Sequence, residues 1–330
     1  MKFYVSSFNG ILEDLKAKVH CVDADEADAL VLWQDVAGSF KDLVQTCKKF
    51  FPKPVYVVQH GGAATRDYDF PNSNQLIADK FLCWGRNDFE RMQRLGYGDR
   101  TEMVGCPLNT KIKAKVPHSE KVVLFVPVNS GKEEPENIAV YYELMKVKYD
   151  LAKKRLLNER EALSRKWGIN GSVNVTTNYL TQGMTVIAKL LPWHDTNLYT
   201  GGHIMGYQDL ADNNEKVFNL LANVDCVVGM EEGTTEIYAM AHDVPVIVVD
   251  GFKYNTNGKG DIKLLNSKGA THVKLENLQE AVEYALAHPE HLRAERKEVA
   301  EAEMGLSLGD PVQNILNVIQ RDHAQVSSAR

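Results

Sequence analysis

The residues Gly233, Thr234 and Thr235 have the types and the spacing of a turn that could bind an anion. They follow the apolar run Cys226–Gly229, which is typical of a strand buried on both faces. They also open a predicted helix that Pro245 ends. A helix N-terminus carries about half a positive charge, and threonine adds hydroxyl groups, so this stretch could hold a phosphate. An ordinary strand–helix unit with a threonine cap accounts for the same residues equally well.

A second candidate is His60, which follows Gln59 and the apolar run Val55–Val58. Ligands bind at the carboxyl ends of strands in open parallel sheets. Gly61 and Gly62 let the backbone approach a ligand closely or adopt positive φ, so we expect both to contact a substrate. Histidine titrates near neutral pH, and we expect His60 to act as a general base. The competing interpretation is a histidine that is only hydrogen-bonded to a loop.

Further polar residues lie in loops that follow other predicted strands. Asp67, in the polar loop after the glycines, is an alternative base, as is Asp69. Ser130 follows an apolar strand and is expected to contact a substrate. Lys189 and His194 lie at and just beyond the end of another apolar run, where they could reach a phosphate or a leaving group.

The composition is typical of a globular protein without a membrane segment. The 330 residues are 44% hydrophobic and 25% charged, with a formal net charge of −6. This charge shows no overall nucleic-acid footprint, although a local basic groove is compatible with it. The five cysteines form no CxxC pair, so we expect reduced thiols. No signal sequence and no apolar run of about 18 residues is present, and we expect a cytoplasmic protein.

Alternating strands and helices indicate an α/β protein with two domains. Residues 1–115 are predicted to form one Rossmann-like domain and residues 116–305 a second, with 110–120 as the linker region and a C-terminal helix and tail over 306–330. The highly charged segment 136–167 is predicted to be a long helix, which we interpret as an insertion outside both sheets. Its basic residues could meet an anionic acceptor, but a solvated helix with internal ion pairs is the simpler explanation.

Four segments resemble glycosyltransferases with the GT-B fold. They are QHGG at 59–62, WGRNDFERMQRLGYG…EMVGCPLN at 84–109, AKLLPWH at 188–194 and DCVVGMEEGTTEIYAMAHDVPVIVVD at 225–250. The similarity is to the CDP-glycerol glycerophosphotransferase and capsular polysaccharide transferase group, and more distantly to non-hydrolysing UDP-GlcNAc 2-epimerases. It covers most of the chain outside 136–167 and implies two Rossmann-like domains that face each other across a cleft.

The resemblance implies transfer of a sugar from a nucleotide-diphosphate donor to a hydroxyl acceptor, with no essential metal and no further cofactor. A UDP-sugar is the expected donor, and the acceptor could be a glycan, a polyol-phosphate polymer or a nucleic acid. The residues expected to bind the donor are Lys189, His194, Glu232, Gly233, Thr234, Thr235 and Glu236, and the resemblance implies this for Thr234, Thr235 and His194. The threonines would bind the diphosphate, and Glu232 would contact the sugar hydroxyls.

Two features depart from the GT-B pattern or leave other functions open. The fold often has a ribose-binding glutamate seven residues before the proline, where this chain has Tyr238. Asp67-Tyr68-Asp69 has the form of a metal-binding DxD motif, but it lies in the first half of the chain. A nucleotide-sugar epimerase is one alternative, although the acidic motif expected after His60 is missing. A non-catalytic binding protein built around 136–167 is the other.

Overall fold

The computed structural model describes residues 1–6, 10–35, 38–50, 53–61, 75–127, 134–167, 184–189, 203–205, 214–230, 233–250 and 268–328. The chain folds into two compact units. The first comprises Met1–Ile112, Asp212–Glu215 and Glu298–Arg330, and the second comprises Lys113–Ala211 and Lys216–Lys297. No helix in the described ranges is both long enough and apolar enough to cross a membrane.

Each unit is built on a parallel sheet, six-stranded in the described residues. The strands of the first sheet are β1 Lys2–Val5, β2 His20–Cys21, β3 Ala29–Leu32, β4 Val55–Val58, β5 Lys80–Cys83 and β6 Thr101–Met103, in the order β2-β1-β3-β4-β5-β6. Those of the second are β7 Lys121–Val126, β8 Met184–Lys189, β9 His203–Met205, β10 Cys226–Gly229, β11 Val246–Asp250 and β12 Ala270–Lys274, in the order β12-β11-β10-β7-β8-β9.

In the described residues, α-helices join six pairs of consecutive strands, the usual crossover between parallel strands. The α-helices are α1 Glu13–Lys18, α2 Gly38–Phe50, α3 Arg86–Arg94, α4 Glu134–Trp167, α5 Asn214–Leu221, α6 Thr234–Ala241, α7 Leu278–Ala287, α8 Arg293–Met304 and α9 Pro311–Ser328. Short 3₁₀ turns occur at Gly98–Arg100, Asn109–Lys111, Leu275–Asn277 and Leu306–Leu308. Every residue of β3, β4 and β10 is buried, which explains why these strands are continuous apolar runs.

The first half of α4 belongs to the core of the second unit. Tyr141, Leu144 and Val147 are fully buried and pack with residues of the sheet and of α7. Their helical spacing places them on one face, and the charged residues lie mainly on the other. The interpretation of 136–167 as an insertion outside the core is therefore wrong for this half. Further along the helix, Leu157 is 52% exposed.

The C-terminal residues pack on the first unit. The amide of Cys106 donates to the carbonyl of Met304 at 2.8 Å, and Lys80 in β5 pairs with Asp322 in α9 at 2.9 Å. The contact is close, since a Cβ placed on Gly85 would lie only 2.3 Å from the carbonyl oxygen of Ala302. The structure thus groups 298–330 with the first unit, whereas the sequence suggested a second domain extending to 305 and a separate tail.

A buried carboxylate attaches the predicted linker region to the second unit. Asp225, just before β10, accepts hydrogen bonds from Lys115 Nζ at 2.8 Å and His118 Nε2 at 2.8 Å. It also accepts one from the amide of Val122 at 2.9 Å. Burial acts to raise the pKa of Asp225, but these donors together outweigh burial and hold the pKa below its ordinary value. The contacts lie at the amino end of the sheet, away from the candidate residues.

Candidate functional site

The second sheet has a topological switch point between β7 and β10. From β7 the chain proceeds outward through β8 and β9, and it then returns to the opposite side of β7 to form β10, β11 and β12. In open α/β sheets, ligands bind in the crevice at the carboxyl ends of strands where the order reverses in this way. The residues that follow β7 and β10 are therefore the first candidates for a binding site in this unit.

Helix α6 begins just beyond β10, beside this switch point. Its N-cap is Gly233, whose backbone is extended, with φ −102° and ψ −168°. Thr234 is half-buried and Thr235 is buried. Glu236 is only 1% exposed, and its Oε2 accepts a hydrogen bond from the amide of Gly233 at 3.0 Å. The carboxylate therefore fixes the entry into the helix, and the first turn has the polarity that attracts an anion.

Other candidates of the second unit follow strands that end at the same edge of the sheet. β7, β8 and β10 are parallel neighbours, and the next candidates in sequence are Ser130, His194 and Glu232, respectively. These three residues lie outside the described part of the chain. Lys189 is the last residue of β8, so its backbone is placed at this edge. The roles of all four remain predictions.

In the first unit, His60 lies at the carboxyl edge of the sheet. Its Nδ1 atom is 3.0 Å from the carbonyl oxygen of Trp33, which follows the neighbouring strand β3. The two rings meet edge to face, with centroids 4.9 Å apart and planes at 81°. A carbonyl oxygen only accepts hydrogen bonds, so Nδ1 carries the hydrogen and Nε2 carries the lone pair of the neutral ring. The ring is thus held in a tautomer that can take up a proton at Nε2.

This contact also brings His60 towards the switch point of the first sheet. From β1 the chain proceeds to β2 on one side and then to β3 on the other, so the reversal lies between β1 and β3. Gly61 is half-buried next to His60. Gly62 and Asp67 lie outside the described residues. The substrate contact of Gly62 and the role of Asp67 as the base therefore stay predictions.

Two buried residues, Gln59 before His60 and its partner Asp88, were not predicted to belong to the site. Gln59 is fully buried, and its side-chain amide bonds the Asp88 carboxylate at 2.5 Å and the carbonyl of Gly61 at 2.8 Å. For Gln59, a polar residue at the end of an apolar strand is only a weak sign of a buried hydrogen-bonding role. Asp88 lies in the first turn of α3, where acidic residues are common. Nothing in the spacing links two residues 29 positions apart.

The described residues contain no group of three or more histidine, cysteine, aspartate or glutamate side chains that could hold a metal ion. Open α/β sheets bind ligands at such switch points, so both places remain candidate sites.

Comparisons with known proteins identify the fold. No family model matches the sequence, and no curated protein sequence matches it. The wall teichoic acid polymerase TagF superposes with a TM-score of 0.55 at 11% identity, covering 98% of this chain and 89% of TagF. UDP-GlcNAc 2-epimerase from Neisseria meningitidis, bound to UDP-GlcNAc, gives 0.52 at 11% identity over 95% and 79%. MnaA from S. aureus, in complex with UDP, gives 0.50 at 12% identity over 97% and 80%.

These similarities, together with the two parallel sheets, show a GT-B-like fold made of two Rossmann-like domains. The predicted GT-B-like fold of two Rossmann-like domains is confirmed, and so is the resemblance to this group of structures. At identities of 11% and 12% the likeness is one of fold. Function has to be argued from the residues of this chain.

Proposed function

We propose that this protein is a glycosyltransferase that moves a sugar from a nucleotide-diphosphate donor to a hydroxyl group. The observation that carries the proposal is the hydrogen bond from His60 Nδ1 to the carbonyl of Trp33 at 3.0 Å. It leaves Nε2 as the proton acceptor, which is what a base needs to deprotonate an attacking hydroxyl group. Asp67 is the alternative base, and Gly61, Gly62 and Ser130 are proposed substrate contacts.

The donor diphosphate is proposed to bind at the start of α6. Gly233, Thr234 and Thr235 supply the helix N-terminus and hydroxyl groups beside the switch point of the second sheet. Lys189 and His194 are proposed to stabilise the charge of the departing diphosphate. These groups do the work that a metal ion does in other transferases, so the proposed reaction needs no metal.

Two roles are proposed for Glu236, namely to shape the start of α6 and to contact the donor. Its bond to the amide of Gly233 supports a role in shaping the helix start. A contact of Glu236 or Glu232 with the donor itself stays a prediction. The proposed donor is a UDP-sugar, the acceptor is a glycan, a polyol-phosphate polymer or a nucleic acid, and the reaction would take place in the cytoplasm.

A nucleotide-sugar epimerase is the second candidate, because two of the similar structures are an epimerase bound to UDP-GlcNAc and MnaA bound to UDP. An epimerase acts on the donor alone, whereas a transferase needs an acceptor. Purified protein should first be screened for thermal stabilisation by UDP, CDP, GDP and their sugars. A ligand at 100 times its dissociation constant adds about 2.7 kcal/mol of stability.

The stabilising donor should then be incubated with the protein, with and without hydroxyl acceptors, and the sugar followed by NMR. Release of nucleoside diphosphate that depends on the acceptor, with a new glycosidic product, supports the proposal. Inversion of a sugar carbon in the absence of any acceptor would instead identify an epimerase. Stabilisation by none of the nucleotides would contradict both enzymatic functions.

A further inference from the structure

A fully buried side-chain amide lies at the end of β4. The Gln59 Nε2 atom donates to Asp88 Oδ2 at 2.5 Å and to the Gly61 carbonyl at 2.8 Å, and its Oε1 accepts the amide of Trp84 at 2.8 Å. Each partner has only one possible role, because a carboxylate and a carbonyl accept while a backbone amide donates. The orientation of the Gln59 amide is therefore fixed by chemistry.

The bond to Trp84 replaces the next step of the strand ladder. The amide of Gln59 donates to the carbonyl of Leu82 at 3.0 Å, as parallel pairing of β4 and β5 requires. In a continued ladder the amide of Trp84 would then donate to the backbone carbonyl of Gln59. It donates instead to the side-chain oxygen of Gln59. The chain can therefore leave the sheet at His60 without a loss of hydrogen bonding at Trp84.

Asp88 orients the two hydrogens on the Gln59 Nε2 atom. Its side chain is almost completely buried in the first turn of α3, and it takes one of the two Nε2 hydrogens. The other hydrogen, which is held in the amide plane, points to the carbonyl of Gly61. His60 lies between these two anchored residues, and its ring is bound to the carbonyl of Trp33. One hydrogen bond thus holds the ring itself, and the Gln59 amide holds the backbone on either side of it.

We propose that Gln59 and Asp88 are positioning residues that hold His60 for proton abstraction. The inference rests on the proposed function of His60 as the base. It goes further by assigning the direction of Nε2 to a buried pair that touches no substrate. A displacement of about 1 Å at a catalytic group can lower turnover by roughly 100-fold, so such a pair has a measurable effect. If the pair were only structural, its substitution would change the stability of the protein and leave the tautomer of His60 unaltered.

The test compares variants that differ in the bonds they retain. Gln59→Met removes all three bonds of the amide while keeping its length. Asp88→Leu removes the acceptor, and Asp88→Asn, its matched control, keeps an acceptor oxygen and the volume. The double variant Gln59→Met, Asp88→Leu removes donor and acceptor together, which buried sites tolerate better than the loss of one partner. His60→Gln assigns the His60 signals in ¹⁵N NMR spectra and shows whether activity depends on this residue.

Two readouts are expected to change together. In ¹⁵N spectra His60 should be the Nδ1–H tautomer in the natural protein and in Asp88→Asn, and a mixture of tautomers in the other three variants. In transfer assays these three variants should lose kcat by about 10- to 100-fold, with the KM for the donor unchanged and the acid limb of the pH profile shifted. Asp88→Asn should retain most of the activity.

The proposal is overturned if the variants keep the tautomer of His60 and the natural kcat. A second result also overturns the proposal. If some variants unfold and every variant that folds, Asp88→Asn included, shows unaltered His60 signals, the pair serves stability alone. Failure of the proposed function gives a different result. In that case the natural protein transfers no sugar, or His60→Gln is fully active, while the NMR signals still report whether the pair orients His60.

Discussion

The Nδ1 atom of His60 lies 3.0 Å from the carbonyl oxygen of Trp33, and the bond connects the ends of two neighbouring strands, β4 and β3. The direct partner of Nδ1 is a backbone carbonyl, which can only accept a hydrogen bond. The arrangement provides a base whose lone pair is on Nε2 over the whole range in which the imidazole is neutral.

We expect His60→Gln to lower the turnover number for sugar transfer by about 10²–10⁴-fold, the usual contribution of a general base. The affinity for the donor should change little, because His60 belongs to the first unit and the donor residues to the second. His20→Gln, which changes an exposed histidine of β2, is the matched control. If His60→Gln keeps its turnover and Asp67→Ala loses it, Asp67 is the base.

Glu236→Gln separates the two roles proposed for this residue. Glutamine can still accept the hydrogen bond from Gly233, so the helix start should persist. Stability should change little, because the favourable interaction of a carboxylate with the helix N-terminus is opposed by the cost of burying its charge. If Glu236 only shapes the helix start, binding of a nucleoside diphosphate should stay equal or become tighter, because one negative charge is removed from the first turn. Calorimetric titration that shows much weaker binding would mean that Glu236 contacts the donor.

Two leucines of α4 test the assignment of this helix to the core. Leu144 is fully buried, so Leu144→Ala should cost about 2–5 kcal/mol of the free energy of unfolding. Leu157 is 52% exposed, and Leu157→Ala should stay within about 0.5 kcal/mol of the natural protein. Urea unfolding of each variant measures the two changes in the free energy of unfolding. Deletion of 137–166 should unfold the second unit, and a folded deletion variant would contradict the assignment.

His242, the C-cap of α6, should make stability depend on pH. Its Nδ1–H donates to the carbonyl of Tyr238 at 2.8 Å, and Nε2 accepts the amide of Lys113 at 3.3 Å. Burial lowers the pKa of His242 from 6.5, against the smaller opposing effect of the Tyr238 bond. The unfolded chain therefore binds the proton more readily than the folded one. The resulting stabilisation is complete above the unfolded pKa and is lost as the pH falls below about 6.5 towards the folded pKa.

The check is the free energy of unfolding at pH 7.5 and at pH 5.5 for the natural protein and for His242→Gln. The natural protein should lose more stability between the two values than the variant does, since the variant has no group to protonate at this position. An equal loss in both proteins would show that His242 does not contribute. The lowered pKa of Asp225 acts only at more acidic pH and does not interfere.

Much of the fold could be predicted because the central strands are continuous apolar runs. β10 and β4 coincide with the apolar runs Cys226–Gly229 and Val55–Val58. Nothing in the sequence indicates β2, since His20 and Cys21 are both exposed at the edge of the sheet. The charged residues of α4 obscured the apolar face by which its first half packs on the sheet.

The site was predicted only as far as local signals reach. Glycine and threonine before a helix, and a histidine after a strand, can be recognised over a few residues. The pairing of Gln59 with Asp88 depends on how α3 packs beside β4, which no local pattern shows. The same holds for the contact of Gly85 with Ala302, which joins residues more than 200 positions apart. Long-range packing decides such contacts.

The most direct test of the account is a calorimetric titration of UDP, CDP and GDP into the natural protein and into the double variant Thr234→Ala, Thr235→Val. Valine preserves the volume of the buried Thr235 and removes its hydroxyl group. Thr271→Val, in β12 of the same unit, is the control. We predict saturable binding of at least one nucleotide, weakened by about tenfold or more in the double variant, which is ~1.4 kcal/mol. Absence of binding to the natural protein, or equal binding by the folded double variant, would contradict the account.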